Sequence, residues 1–124
     1  MSDATPLRRP FGRDMRLKQG REFLRIRREG RRLVCGCLIA NWRDLPEGSP
    51  MRLGVITART VGNAVARARA RRLLREAFRL HQHDLARPVE LVLVAQRTIA
   101  GKRLATVEHD FTTVLRRAGL WKAQ

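Results

Sequence analysis

The segment Val61–Arg79, VGNAVARARARRLLREAFR, gathers six arginines around a single acid, Glu76. They are Arg67, Arg69, Arg71, Arg72, Arg75 and Arg79. A guanidinium is always charged, and its planar fork can give two parallel hydrogen bonds to one phosphate. The chemistry on offer is therefore anion binding. A polynucleotide rewards such clustering most, because each neutralised phosphate releases counterions. Arg59 adds a cation just upstream, and Gly62 with Asn63 reads as a tight turn into a helix. Asn63 is a suitable N-cap, and the free backbone N–H groups of a helix start form a phosphate site of their own.

Other chemistry is sparse. Hydrolysis by the protein itself would call for clustered carboxylates or histidines. The 11 acids are dispersed along the chain, and there is no tyrosine. Glu108 and Asp110 stand at close spacing but would diverge on a helix. No residue is assigned as catalytic or as a metal ligand. Cys35 and Cys37 would share one face of a strand. With no second cysteine pair and distant histidines, they read as small buried residues rather than a disulfide framework or a metal site.

The elements that must carry the arginines can be read from periodicity. Residues 1–15 hold Pro6, Pro10 and Gly12 without periodicity and are expected to form a flexible basic arm. Residues 16–120 are expected to form one domain, within the size of a single core. A helical pattern runs from Leu17 through Phe23, Leu24 and Ile26, with Gly30 as its C-cap. Arg32–Trp42 reads as a strand, or a strand bent at Gly36. Arg43–Pro50 reads as a turn or hairpin loop, and Met51–Ala58 as a second strand. The basic helix should run from about Asn63 to His83. A strand at Val89–Gln96 and a closing helix at Lys102–Ala118, ended by Gly119, complete the order. The fold class is α/β (α+β), a two-layer sandwich of helices on a small mixed sheet, ordered α-β-β(-β)-α-β-α.

On the basic helix, Ala66, Ala70, Leu73, Leu74, Ala77 and Leu80 should share one face, flanked by Phe78. Arg71, Arg72, Arg75 and Arg79 fall opposite, with Arg67 and Arg69 at the margins and Ala68 amid the basic side. At ~1.5 Å per residue the segment spans about 30 Å, enough to cross several phosphates. A merely solvated charged face normally mixes signs. A membrane-surface helix needs bulky apolar residues along its whole apolar side, and here the first half is alanine. The whole chain agrees with a nucleic-acid partner: 27 Lys and Arg against 11 Asp and Glu give a formal charge of +16. The N-terminus lacks the apolar run of a signal peptide, and no stretch reaches the ~20 apolar residues of a membrane span. A cytoplasmic location is expected, without a membrane partner.

Gly62–Arg79 resembles, without gaps, the pattern G-N-A-V-x-R-N-R-x-K-R-L-x-R-E-x-F-R of the bacterial ribonuclease P protein family. RLGVITARTVG, Arg52–Gly62, is similar to that family's strand and turn. RLKQGREFLRIRREGRR, Arg16–Arg32, is similar to its opening helix, and VELVLVAQR fits its later strand. The likeness covers about residues 11–120. Ala68 stands where the family has asparagine, Arg59-Thr60 where it has a lysine pair, and Arg27 where it has a second aromatic.

The resemblance implies a fold like the second domain of ribosomal protein S5, with a left-handed crossover between parallel strands. It implies one protein copy bound to a large catalytic RNA, in a holoenzyme that removes the 5′ leader of precursor tRNA by hydrolysing one phosphodiester. The RNA and its Mg2+ ions would perform the chemistry, with no metal held firmly by the protein alone. Arg59, Gly62, Asn63, Arg67, Arg69, Arg71, Arg72, Arg75 and Arg79 would contact the catalytic RNA. Phe11, Arg16, Phe23 and Arg27 would contact the leader, which the family holds in a cleft between the sheet and the first helix. A ribosomal protein or RNA chaperone of the same fold would share the composition; the motif favours the nuclease subunit.

Overall fold

The apolar run at Val89 builds the middle of the protein. In this computed structural model, which describes residues 20–122, strand β4 (Val89–Ala95) lies between β2 (Leu38–Asp44) and β3 (Arg52–Thr57). It pairs antiparallel with β2 and parallel with β3. With β1 (Arg31–Cys35) outside β2, the sheet order is β1-β2-β4-β3. A strand apolar on both sides suits a position covered on both faces. Val89, Leu91, Leu93 and Ala95 point into the main core, while Val92 and Val94 join a smaller cluster on the other face.

The expected single bent strand at Arg32–Trp42 is a hairpin. Cys35 pairs with Leu38, leaving Gly36 and Cys37 as the two turn residues. Gly36 has φ +58, the positive value that a tight hairpin takes at its first central residue. A side chain there would also meet Asp110, whose Oδ2 would lie 2.2 Å from the added Cβ. Asp110 accepts a hydrogen bond from Cys37 N at 3.0 Å, so the closing helix holds the turn. The segment Arg43–Pro50 holds the expected turn, with Ser49 N donating to Pro46 O at 3.0 Å, but it does not close a hairpin, since β2 and β3 are not neighbours.

Parallel β3 and β4 need a crossover, and the basic helix α2 (Ala64–His81) supplies it. Asn63 caps α2, accepting from Ala66 N at 2.9 Å. Ala70, Leu74, Ala77 and Phe78 are buried against the sheet and against α3 (Leu104–Arg117). The buried face is rotated from the expected one. Leu80 is 43% exposed and Phe78 is fully buried, because Phe111 of α3 lies on that side, 6.4 Å between ring centres. Small alanines early on the face let the helix approach closely; the bulk arrives later with Leu74 and Phe78. α3 starts two residues after the expected Lys102. Gly119 follows its end at φ +74, and Leu120 N returns to Leu115 O at 2.8 Å, satisfying an end carbonyl.

The first helix, α1 (Gly20–Glu29), covers part of the opposite face, so the α2–α3 layer and α1 sandwich the sheet. Gly30 follows α1 for a reason other than the expected left-handed cap. Its φ is not positive, but an added Cβ would stand 2.1 Å from the Trp42 carbonyl oxygen. The predicted start at Leu17, and the arm at 1–15, lie outside the described residues. The α-β-β-β-α-β-α order and the mixed sheet are as the sequence predicts.

Candidate nucleic-acid interface

Turning the alanine–leucine face of α2 to the core leaves its arginines outside. Arg69 and Arg72 are exposed, and Arg67, Arg71, Arg75 and Arg79 are half-buried. Several are steered by one hydrogen bond each. Arg67 Nη1 donates to Gly62 O at 3.1 Å, Arg69 Nη2 to Lys102 O at 2.7 Å, and Arg71 Nη1 to Thr57 Oγ1 at 3.3 Å. A guanidinium has five N–H donors, so each of these still presents several. Arg79 differs: both its Nε and Nη2 donate to the Glu76 carboxylate. That pairing holds the Glu76 carboxyl below its usual pKa and raises the Arg79 guanidinium above its own. The cationic character of the face is therefore strongest in its first half. Ala68 is half-buried among these side chains.

Arg59 stands exposed on a 3-10 turn, Arg59–Val61, immediately before the helix. Gly62 has φ +145 and is exposed, as is Asn63. Arg59, Gly62, Asn63, Arg67 and Arg69 thus gather at the α2 N-terminus. The exposed Lys102 and Arg103 lie beside them, because Arg69 reaches the Lys102 carbonyl. Nothing local in the sequence ties residue 102 to residue 69, so that contribution emerges only from the fold.

The second feature is a groove of about 250 Å³ on the other face of the sheet. Phe23 and Arg27 of α1 form one wall, and Ile39, Asn41, Ile56, Val92 and Val94 form the floor. Arg32 stands on the β1 side. An apolar floor rimmed by two arginines can accept stacked bases while the cations meet phosphates. Phe23 also packs against the Ile26–Val92 cluster, so it is a core residue and a groove wall at once. Phe11 and Arg16 lie outside the described residues. The strand residues of the floor were missed as site residues, although alternation on β2 and β4 puts them on one face.

Comparison with known proteins settles the family. The sequence model described as Ribonuclease P matches residues 11–119. A "Ribonuclease P protein component" from Gluconacetobacter diazotrophicus is 34% identical over 110 residues, covering 88% of this chain and 95% of that protein. Another, from Desulfatibacillum aliphaticivorans, is 32% identical over 108 residues, covering 84% and 91%. The chain belongs to the ribonuclease P protein family. Among solved structures, the RNase P protein of Thermotoga maritima superposes with TM-score 0.72 at 26% identity, over 82% of this chain and 96% of that one. The Staphylococcus aureus RNase P protein gives TM-score 0.77 at 22% identity, over 86% and 97%, a likeness of fold.

As a member of that family, the chain contributes to an endoribonuclease holoenzyme. Cys35 and Cys37 are free and buried. Burial, with Asp110 beside it, pushes the Cys37 thiol up to about 12, so it stays protonated and unreactive at neutral pH. His81 closes the inner end of α2, within 2.7 Å of Glu108 and 3.0 Å of Asp84. No three His, Cys, Asp or Glu side chains gather into a possible metal cage among the described residues. No helix there is long and apolar enough to cross a membrane.

Proposed function

We propose that this protein is the RNA-binding subunit of a cytoplasmic ribonuclease P, present as one copy in the holoenzyme. The arginine face of α2, with Arg59, Gly62 and Asn63 at its start, docks on the catalytic RNA. The groove under α1 receives the single-stranded 5′ leader of precursor tRNA, with Phe23 as a stacking surface and Arg27 and Arg32 as phosphate contacts. Phe11 and Arg16 are proposed to extend the leader contact. The RNA and its Mg2+ ions hydrolyse the phosphodiester, and the protein positions the substrate. The observation that carries this reading is the first half of α2, where arginines face outward with no acid among them, in a chain whose family match runs through that helix.

Reconstitution with the cognate catalytic RNA tests it. At low Mg2+, adding the protein is expected to increase 5′-leader removal from a precursor tRNA. No gain in leader removal overturns the proposal.

A further inference from the structure

Glu90 is 2% exposed and interrupts an otherwise apolar strand. It neighbours Arg43 on β2 and Arg52 on β3 in the sheet register. Its Oε1 accepts from Arg43 Nε at 3.1 Å, and its Oε2 accepts from Arg25 Nη2 at 2.8 Å. Arg52 Nη1 lies 3.8 Å from Glu90 and donates to Glu22 at 3.2 Å. Glu22 and Arg25 both belong to α1, so two ion pairs of opposite polarity join this helix to the sheet.

Among the described residues, the apolar packing of α1 is slight. Ile26 is the one buried residue of its 10, and it packs in a small cluster apart from the main core. So small an apolar contact, Ile26 with the partly buried Phe23 beside it, sets how close the helix lies but holds its roll about its axis only weakly. At ~100° per residue, Glu22 and Arg25 leave the helix on one side of Ile26, and Phe23 and Arg27 on the other. A roll that released the ion pairs would swing Phe23 and Arg27 away from the groove. The Arg25 side chain also keeps its Nε buried without an acceptor, a cost that a free side chain would shed by changing rotamer. The Glu90 contact holds it there.

We infer that the Arg25–Glu90 and Glu22–Arg52 pairs set the roll of α1 and so hold Phe23 and Arg27 over the groove. Arg25 and Glu90 are then positioning residues for single-stranded RNA bound there, although Arg25 leaves from the other side of the helix. The inference rests on the groove being the leader site.

The test uses the reconstituted holoenzyme and two precursors, one with a leader of roughly ten nucleotides, within the span of known single-strand grooves, and one with a minimal leader. Arg25→Met keeps the stem and leaves Glu90 paired with Arg43. It is expected to raise KM for the long-leader precursor about tenfold at unchanged kcat, the mark of lost uniform binding. KM for the minimal leader and affinity for the catalytic RNA should not change, and Arg25→Lys should recover most of the loss. A long-leader KM that is unchanged, or that rises equally for both precursors, overturns the inference. A wild-type holoenzyme whose KM ignores leader length overturns the groove reading, and this inference with it.

Discussion

At the scale of single residues, the arginines of α2 are not equivalent. Arg79 spends two donors on Glu76, whereas Arg69 and Arg72 are exposed and, among the described residues, Arg69 is tied to one backbone carbonyl. The salt dependence of RNA binding should therefore come mainly from the early part of the helix. Replacing both Arg69 and Arg72 with Ala is expected to lower the slope of log K against log salt by about 2, roughly one per lost phosphate contact. A salt titration of binding to the catalytic RNA measures this, and an unchanged slope would place the docking surface elsewhere. Cys37 gives a residue-scale prediction for stability. Its thiol pKa rises from 9.0 to about 12 on folding, so the neutral form is favoured in the native state. The stability it supplies is complete below pH ~9 and is lost as pH climbs toward ~12. Chemical denaturation across that window should show a decline that shrinks in Cys37→Ala; identical declines would contradict it.

At the scale of elements, the turn at Gly36 links the β1–β2 hairpin to α3. Gly36→Ala would force a Cβ onto the Asp110 carboxylate and place alanine at φ +58. The expected cost is about 2 kcal/mol, seen as a clear fall in Tm. A change within ~0.5 kcal/mol would show that the turn relaxes without strain. This turn also marks where the sequence stopped being legible. Gly36 was visible as an interruption, but Cys-Gly-Cys lacks the Asn-Gly or Asp-Gly signature of a tight hairpin. The partner that makes glycine necessary, Asp110, is distant in sequence. Helices were easier to read, because their period is local: Asn63 caps α2 as its type predicts, and the arginines emerge on the outer side. The rotation of the buried face from Leu80 toward Phe78 was not readable, since it depends on where Phe111 arrives. The family resemblance implies a cleft between the sheet and the first helix, but the residues of its floor were hidden for the same reason. Its floor combines β2, β3 and β4, and the strand order that unites them is set by long-range pairing. Glu90 carried a signal, an acid inside an apolar run, but its partners Arg25, Arg43 and Arg52 come from three other elements.

At the scale of the whole molecule, a charge of +16 on 124 residues must be carried without RNA whenever the subunit stands alone. Two effects of salt then oppose each other. Screening weakens attractive pairs such as Arg87–Asp44, but exposed pairs contribute only ~0–1 kcal/mol each. The Glu90 pairs are shielded from water on the carboxylate side and are screened less. Repulsion among the surplus cations is spread over the surface, where added salt acts most strongly. The screening length falls from ~10 Å at 0.1 M to ~3 Å at 1 M. Relief of repulsion should win, so Tm of the free protein is expected to rise with KCl. An anion that binds the native state adds a mass-action gain beyond screening. Phosphate at the same ionic strength should therefore raise Tm further than chloride, because the arginine face and the N-terminus of α2 offer it directed donors. In the Arg69→Ala, Arg72→Ala double variant the chloride effect should persist while the extra gain from phosphate shrinks. A Tm that falls with KCl would mean the ion pairs outweigh the repulsion. An equal phosphate gain in both proteins would mean that the arginine face does not recognise phosphate.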